Sequence, residues 1–412
     1  MADHEVQYLL VGGGLASANC ARWLRESGAD GAILLVGREP DPPYNRPPCS
    51  KGYMQGGEAR EDAYFRPGDW WEEQSIELLT RTSVLRLDPA QREARLSNRQ
   101  TVAFEQALLA TGANVRVLHV EGGRLDGLHY LRTLGNVDSI LADAEEAERV
   151  VLVGGSYIGT EVAASLTLRG KRCSIVMQES VTLESGFGAT AGRFFQGVLE
   201  EHGIEVHGDD ALARFEGSDG RVTKVVTEKG KELEAELVVI GAGVHPEVTL
   251  AKSAGLELGE RGGIRCSAQL ETSADGIYAA GDVCEYDSPI HRRPVRIEHW
   301  DVAFNHGKTA ALNMLGKRQP HDVLPYFFSD LADWSSMEYV GPAYGWDEEV
   351  VRGSTDNGDF SIWYLQDGRV AAALSVGRSE DLEHARRLIT ERTDVSQRKA
   401  ALGDVHSELG EL

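Results

Sequence analysis

The sequence predicts an α/β fold that contains two glycine-rich strand–turn–helix units and ends in an antiparallel α+β module. Two observations support the α/β part: an apolar run stops at clustered glycines between Tyr8 and Ser17, and the pattern recurs between Arg149 and Leu168. The third observation is a change of pattern beyond Pro320, where apolar or alternating strands are separated by turns such as Asp367-Gly368.

The first unit begins with the apolar run Leu9–Val11, continues through Gly12, Gly13 and Gly14, and leads into a helical pattern from Leu15 to Leu24. Glycine is favoured at such a turn because a Cβ would block the approach of a pyrophosphate to the amides that open the helix. The turn departs from the G-x-G-x-x-G/A pattern at its last position, Ser17. By itself it indicates a nucleotide site or an ordinary strand-to-helix turn.

Two segments after this helix carry candidate binding residues. A second strand, Ala32–Val36, ends at Arg38 and Glu39, and the residue at its tip is expected to meet the ribose of a nucleotide. The proline-rich loop PPYNRPPCSK then carries Arg46 and Lys51, both able to meet a phosphate. The alternatives are a solvated loop pair and a stiff connector.

The second unit has the strand Arg149–Val153, a turn containing Gly154, Gly155, Ser156 and Gly159, and a helix predicted over Thr160–Leu168. A further strand, Cys173–Met177, ends near Glu179, in the position expected for an acid that binds a ribose. Because two such units occur in one chain, two dinucleotides are the leading interpretation.

Three later strands also end in small or acidic residues. They are predicted over Ala107–Ala113, which is capped by Thr111 and Gly112, over Leu237–Ile240, which stops at Gly241, Ala242 and Gly243, and over Ile277–Val283, which ends in Gly281 and Asp282. A carboxylate at the carboxyl end of a strand in an open α/β sheet lies in the ligand crevice. A turn or cap Asp is the alternative at Asp282.

Composition limits the class of protein. With 412 residues, 42% hydrophobic and 26% charged, the chain is expected to be a cytoplasmic globular protein without a membrane anchor. A net charge of −23 disfavours nucleic acids and anionic lipid surfaces as partners. The five cysteines form no C-x-x-C motif, so we expect reduced core residues and no metal site. Cys49 is interpreted as inert, with redox activity as the alternative.

Together these motifs resemble the FAD/NAD(P)H pyridine nucleotide oxidoreductase family, of the ferredoxin reductase type that includes putidaredoxin reductase and apoptosis-inducing factor. The resemblance covers nearly the whole chain: the first glycine turn, the proline loop, ATGA at Ala110–Ala113, GGSYIGTE at Gly154–Glu161, AAGDV at Ala279–Val283 and YFFSD at Tyr326–Asp330. The segment Glu298–Asp301 is more similar to apoptosis-inducing factor. The departures from the family pattern are Ser17, Ser156, Arg38, Cys49 and Phe328.

The resemblance implies two Rossmann-like dinucleotide-binding domains, in a glutathione-reductase-like two-dinucleotide fold, plus a C-terminal α+β domain. Residues 1–116 and 246–322 would form a split FAD-binding domain, residues 117–245 the NAD-binding domain and residues 323–412 the C-terminal domain. The last twenty or so residues are polar and are expected to be loosely ordered.

The same resemblance implies the site residues. The implied catalytic pair is Lys51 and Glu161. The cofactor-binding set implied for FAD and its surroundings is Gly12, Gly13, Gly14, Leu15, Ala16, Arg38, Glu39, Arg46, Lys51, Val84, Ala110, Thr111, Gly112, Arg116, Gly281, Asp282, Glu298, His299, Trp300 and Phe328. The set implied for NAD is Gly155, Tyr157, Ile158, Glu179 and Gly243, and Glu161 is implied to lie beside the flavin with Lys51.

The implied activity is an FAD-dependent NADH oxidoreductase that passes hydride to flavin and then electrons to a ferredoxin-type iron–sulfur protein. Elementary electrostatics supports the Lys51–Glu161 pair, since a cation stabilises the negative charge of a reduced flavin and a carboxylate keeps a buried lysine ionised. An acid at the ribose favours NADH, and no base stands beside Glu179.

Two other functions remain open. They are an NADH oxidase or quinone reductase, which the strongly acidic composition favours, and an NADH-sensing flavoprotein similar to apoptosis-inducing factor. The basic cluster Arg292, Arg293 and Arg296 is a candidate docking site for an acidic partner. Either a monomer or a homodimer is compatible with the sequence.

Overall fold

The computed structural model describes residues 2–412. Its strands, in chain order, are β1 (His4–Val11), β2 (Ile33–Val36), β3 (Ile76–Leu79), β4 (Val84–Asp88), β5 (Glu93–Leu96), β6 (Thr101–Leu109), β7 (Ala113–Val115), β8 (Leu128–Tyr130), β9 (Arg149–Val153), β10 (Arg172–Val176), β11 (Glu205–His207), β12 (Leu212–Ser218), β13 (Arg221–Thr227), β14 (Glu232–Glu234), β15 (Leu237–Ile240), β16 (Val244–Pro246), β17 (Ile264–Cys266), β18 (Ile277–Ala279), β19 (Cys284–Ser288), β20 (Arg293–Val295), β21 (Tyr326–Leu331), β22 (Ser335–Val340), β23 (Glu348–Ser354), β24 (Asp359–Gln366) and β25 (Arg369–Val376).

The α-helices are, in the same order, α1 (Leu15–Glu26), α2 (Gly52–Gln55), α3 (Trp70–Glu73), α4 (Leu134–Glu146), α5 (Tyr157–Leu168), α6 (Glu184–Glu201), α7 (Thr249–Ser253), α8 (Trp300–Met314), α9 (Ser379–Glu391) and α10 (Lys399–Gly403). The described chain divides into two compact units. Unit 1 comprises residues 2–45, Glu61–Asn114 and Val244–Pro325, and unit 2 comprises Arg46–Arg60, Val115–Gly243 and Tyr326–Leu412.

Unit 1 is built on a sheet with the order β3-β2-β1-β6-β5-β4, in which β18 also pairs with β6. Strand β1 runs parallel to β2 and to β6, so it lies inside the sheet. Its residues Tyr8–Val11 are all buried, as expected for a parallel strand covered on both faces. Strand β1 is therefore a central strand of this sheet.

Helices α1 and α8 pack closely in unit 1, at a glycine of α8. A Cβ on Gly307 would lie 2.4 Å from the carbonyl oxygen of Ala16, so only glycine permits this approach of the two backbones. A smaller sheet, β17-β19-β20, completes the unit.

Unit 2 contains a parallel sheet with the order β11-β10-β9-β15-β8. Helix α5 follows the central strand β9 and begins at Tyr157, three residues earlier than the sequence predicts. A three-stranded antiparallel sheet, β12-β13-β14, is attached to this α/β part. The arrangement is a second nucleotide-binding type of unit, as the repeated motif indicates.

The C-terminal part of unit 2 is an antiparallel sheet with the order β21-β22-β25-β24-β23, packed against α9. The fold class is therefore confirmed: α/β with two dinucleotide-binding parts and a C-terminal α+β part.

The expectation of a loosely ordered C-terminal tail is wrong. The guanidinium of Arg352, only 6% exposed, pairs with Asp381 at 3.4 Å and donates to the carbonyl oxygens of Val405 and Ser407. Leu409 is also buried. The tail is held because its carbonyl groups satisfy a buried cation, which its polar composition does not reveal.

Between residues 2 and 412, none of the helices combines the length and the apolar character that crossing a bilayer requires.

Candidate active site

The turn between β1 and α1 is shaped by Gly12 and Gly14. Gly12 has φ +116°, and a Cβ there would lie 2.2 Å from the carbonyl oxygen of Ala110. Gly14 caps α1 without any side-chain hydrogen bond, and a Cβ on it would find no atom within 4 Å. The first amides of α1 therefore open onto free space, which fits a phosphate group.

The acid and base at the tip of β2 have separate partners. Glu39 Oε2 accepts a hydrogen bond of 2.6 Å from the Tyr44 hydroxyl. The exposed Arg38 donates from Nη2 to Asn114 Oδ1 at 2.7 Å. Glu39 is held by a neighbour from the start of the proline loop, as a ribose-binding acid would need.

The end of β6 meets the segment that follows β16. Thr111 donates from its hydroxyl to the Glu247 carbonyl oxygen at 2.6 Å, and Asn114 donates to the Glu247 carboxylate. These contacts fix the small residues Ala110–Gly112, over which a cofactor is predicted to pass. Val84, another predicted contact, is half-buried and opens β4 in the same unit.

The AAGDV motif differs from the predicted strand, because β18 ends at Ala279 and a 3₁₀ helix covers Gly281–Val283. Gly281, with φ +73°, donates its N–H to His306 Nδ1 at 3.2 Å. Arg296 donates to the Asp282 carbonyl oxygen at 3.0 Å. The turn that carries Asp282 is thus held from both sides by side chains.

The segment before α8 holds three predicted residues. Glu298 forms an ion pair with Arg296 at 2.5 Å. His299 is the N-terminal cap of α8, and Trp300 donates from Nε1 to Asn45 Oδ1 at 2.9 Å. Arg296, one of the three arginines of the predicted basic cluster, therefore stabilises the Asp282 turn and the Glu298 carboxylate. Its role is structural.

The second glycine turn, in unit 2, has a similar backbone. Gly154 has φ +110°, and a Cβ there would lie 2.5 Å from the Gly241 carbonyl oxygen. A Cβ on Gly159 would lie 1.9 Å from the Gly154 carbonyl oxygen. Ser156 caps α5 without a side-chain hydrogen bond. Helix α5 thus begins without a side-chain cap, which fits a helix N-terminus that binds the pyrophosphate of a second dinucleotide.

The remaining predicted NAD residues surround this turn. Tyr157, the first residue of α5, packs edge-on against Phe187 and Phe327, with centroid distances of 5.6 and 4.7 Å. Glu179 follows β10 and is half-buried, and the exposed Ile158 lies one residue further along α5. Arg116 donates its N–H to the Gly243 carbonyl oxygen at 2.9 Å.

Unit 2 also contains the predicted catalytic pair. Lys51 Nζ lies 2.5 Å from Glu161 Oε1, and the two side chains are 15% and 6% exposed. The Lys51 ammonium lies 5.9 Å from the centre of the Phe328 ring. A nearly dry ion pair of this kind holds a positive charge in place without competition from water.

Two serines absent from the predicted site join this pair. Ser50 and Ser329 each donate a 2.5 Å hydrogen bond, to Glu161 Oε2 and Oε1 respectively. Both lie inside motifs that resemble the family, Ser50 in the proline loop and Ser329 in YFFSD. Their presence in these motifs was the only sequence signal that they belong to the site. Their convergence depends on the packing of three elements, which local patterns do not encode.

The structure assigns predicted FAD residues to both units. Arg46, Lys51, Arg116 and Phe328 belong to unit 2, together with all the predicted NAD residues, and the other predicted FAD residues belong to unit 1. Arg46 donates to the Arg132 carbonyl oxygen.

The cysteines are buried, and two of them are neighbours. Burial raises the pKa of Cys20 and Cys284 well above the ordinary thiol value, and raises the pKa of Cys173 to about 11. Cys266 and Cys284 lie on the paired strands β17 and β19, and the Cys266 thiol donates to the Ile264 carbonyl oxygen at 3.4 Å. Cys49 is 4% exposed. Raised thiol pKa values mean unreactive sulfur at Cys20, Cys173 and Cys284.

Comparison with known proteins identifies the class. The pyridine nucleotide-disulphide oxidoreductase family matches residues 6–307, and a reductase C-terminal family matches residues 326–412. The chain therefore belongs to the pyridine nucleotide-disulphide oxidoreductase family.

Individual relatives are similar over almost their whole length. Putidaredoxin reductase of Pseudomonas putida is 33% identical, with 98% of this chain and 96% of the relative covered. Rhodocoxin reductase of Rhodococcus erythropolis is 31% identical, with 97% and 93% covered. The crystal structure of a covalent putidaredoxin reductase–putidaredoxin complex matches with a TM-score of 0.92 at 33% identity, covering 100% of this chain and 98% of that one. These similarities confirm the resemblance inferred from the motifs.

Proposed function

We propose that this protein is an FAD-dependent NADH oxidoreductase of the ferredoxin reductase type, which takes hydride from NADH and passes electrons to an iron–sulfur protein. The observation that carries the proposal is the pair of glycine turns, at Gly12 and at Gly154. Each opens a helix whose first amides have no side-chain cap. One chain thus offers two separate sites for a pyrophosphate.

FAD is assigned to the first turn and NADH to the second. Around the first turn, acceptors for hydroxyl and amide groups come from Glu39, Asp282 and Glu298. The small residues Ala110–Gly112 allow a cofactor to approach the backbone closely. Around the second, Glu179 supplies the ribose acceptor, and Gly243, with φ +85°, supplies a backbone turn without a side chain. The corresponding domains would be residues 1–116 with 246–322 for FAD, 117–245 for NAD, and 323–412 as the C-terminal domain.

FAD, when bound, supplies the chemistry that joins a two-electron donor to a one-electron acceptor. Lys51 would supply the positive charge that stabilises the negative charge of a reduced flavin. Glu161 keeps that ammonium in place from a distance of 2.5 Å. The low exposure of both side chains excludes water, which strengthens their electrostatic effect.

NADH is the preferred nicotinamide donor in this proposal. Glu179 at the end of β10 accepts a hydrogen bond from the 2′-hydroxyl of the ribose and repels a 2′-phosphate. The relatives include a ferredoxin reductase named for NAD(P)(+) and another named for NAD(+). NADH over NADPH is therefore a prediction from Glu179.

The acceptor is proposed to be a ferredoxin. Relatives are named as ferredoxin reductases, and one similar structure is a complex with putidaredoxin. Within the basic cluster, the residues proposed to bind such a partner are Arg292 and Arg293. A cytoplasmic location is part of the same proposal.

An acceptor panel tests this function. FAD-loaded protein is reduced by NADH and mixed in a stopped-flow instrument with ferredoxins, with oxygen and with a small quinone. Fast transfer to a [2Fe–2S] ferredoxin supports the proposal. Faster oxidation by oxygen or quinone than by every ferredoxin would favour an oxidase or quinone reductase. Slow oxidation by all of them, with a change of oligomeric state on reduction, would favour an NADH-sensing protein.

A further inference from the structure

Both oxygens of the Glu161 carboxylate are held by hydroxyl groups. Ser329 Oγ lies 2.5 Å from Oε1, the oxygen that also faces Lys51, and Ser50 Oγ lies 2.5 Å from Oε2. The two serines are 2% and 3% exposed. A carboxylate with three short charge-assisted contacts has little freedom to rotate.

Each hydroxyl comes from a different element of unit 2. Ser50 lies at the end of the proline loop, where its carbonyl oxygen accepts a 2.6 Å hydrogen bond from the Ser165 hydroxyl of α5. Ser329 lies in the middle of β21 and faces Met337 of β22 across the ladder. Both serines therefore have fixed backbones, and neither depends on a flexible side chain to reach Glu161.

We propose that Ser329 and Ser50 are positioning residues for the Lys51–Glu161 pair. They fix the plane of the carboxylate so that Oε1 stays turned toward the Lys51 ammonium. Because Ser329 belongs to the antiparallel C-terminal sheet, this sheet completes the ion pair. The inference rests on the proposed function, in which the pair assists reduction by NADH.

The kinetic test is Ser329→Ala, with Ser50→Ala as a second variant. Loss of a hydrogen bond to a charged group should lower the limiting rate of flavin reduction by NADH about ten-fold. The dissociation constant of NADH and the amount of bound FAD should stay unchanged, because neither serine is assigned to cofactor binding. Ser329→Thr keeps the hydroxyl donor, so it should restore part of the rate.

The matched control is Ser336→Ala on the neighbouring strand. Its hydroxyl donates to Asp330 at 2.8 Å on the exposed side of the same hairpin. This variant should keep the wild-type rate. A rate lowered equally in Ser329→Ala and Ser336→Ala, or a raised NADH dissociation constant without a change in limiting rate, would overturn the proposal.

A second measurement needs no reaction. Melting temperatures are compared for wild type, Ser329→Ala, Glu161→Ala and the double variant, all FAD-loaded. The two changes should be clearly non-additive, because the hydroxyl has lost its acceptor once Glu161 is truncated. Additive shifts would refute the contact itself. If wild-type flavin is not reduced by NADH while the shifts are non-additive, the proposed function fails, and the kinetic role with it, but the contact stands.

Discussion

The turn at Gly12 and the turn at Gly154 open helices in the same way but place their small residues differently. Gly14 stands at the third position of the first turn and Ser156 at that of the second. At the sixth position the order reverses, with Ser17 in the first turn and Gly159 in the second. Each turn therefore departs from the fingerprint at one position, and the two departures differ.

The contacts explain the reversal. Helix α5 lies so close to its own turn that a Cβ on Gly159 would be 1.9 Å from the Gly154 carbonyl oxygen. In unit 1 the close backbone contact of α1 is with Gly307 of α8 and not with its own turn. The sixth position of that turn therefore accommodates a buried serine, Ser17. A fingerprint glycine is required where two backbones meet, and that place can move to another helix.

The largest expected effect separates the two turns by cofactor. In Gly12→Ala the new Cβ meets the Ala110 carbonyl oxygen at 2.2 Å with φ +116°, so the protein should be purified without FAD. In Gly154→Ala the equivalent clash is with Gly241 at 2.5 Å, in unit 2. That variant should be yellow but should no longer bind NADH.

Flavin absorbance and NADH titration check both outcomes. A Gly154→Ala protein that lacks FAD but binds NADH would reverse the assignment of the two turns.

Gly14→Val separates loss of ligand from loss of fold. The space beside Gly14 is free of protein atoms, so valine adds bulk without an internal clash. FAD binding should be abolished while the far-ultraviolet circular dichroism spectrum stays that of wild type. Gly68→Val, at another glycine of unit 1 that has no positive φ and whose Cβ would meet nothing, is a matched steric control and should keep FAD. A fully loaded Gly14→Val protein would show that the first turn does not bind the pyrophosphate.

Lys51→Met removes charge from the catalytic pair while keeping an apolar stem. Flavin reduction by NADH should slow by about 100-fold, since a preorganised charge in a dry site is lost. Both cofactors should still bind, because the two glycine turns are intact. Stopped-flow reduction over a range of NADH concentrations separates the rate from the binding. An unchanged limiting rate would remove Lys51 from the mechanism.

Glu179→Ala addresses the second turn alone. The ratio of kcat/KM for NADH to that for NADPH should fall about ten-fold, as one hydrogen bond to a charged group is lost. Gln178→Ala, at the exposed neighbouring position, should leave the ratio near its wild-type value. A wild-type protein that uses NADPH as well as NADH would contradict the role of Glu179.

A separate effect, on acid stability rather than on activity, concerns unit 1. His306 and His321 are buried with their rings 4.5 Å apart, and burial lowers the pKa of His306 and brings the pKa of His321 to about 4. An unfolded histidine has a pKa of about 6.5, so below that pH the unfolded chain binds protons that the folded chain does not. The stabilisation from His321 is therefore complete above pH 6.5 and is lost toward pH 4, by at most about 3 kcal/mol.

His321→Gln should flatten the dependence of melting temperature on pH between 6.5 and 4. The same substitution at the exposed His406 is the control and should leave the slope unchanged. Equal slopes in wild type and His321→Gln would refute the role of the buried histidine.

Sequence patterns were sufficient to predict the features of this protein that depend on neighbouring residues in the chain. The apolar runs and glycines predicted β1, α1 and β9 correctly, because burial and turn geometry depend on consecutive residues. The same patterns missed Ser50 and Ser329, whose role depends on three elements meeting at Glu161. They also failed for the tail, where Arg352 is 52 or more residues away from the carbonyl groups that it holds.

The most direct test of the account is anaerobic reduction of the FAD-loaded wild-type protein by NADH, followed at about 450 nm, the usual flavin band. We expect rapid and complete loss of this absorbance, with a limiting rate that falls in Lys51→Met. Absorbance that persists under saturating NADH, in protein shown to have bound it, would contradict the claim that the two glycine turns hold a donor and its acceptor.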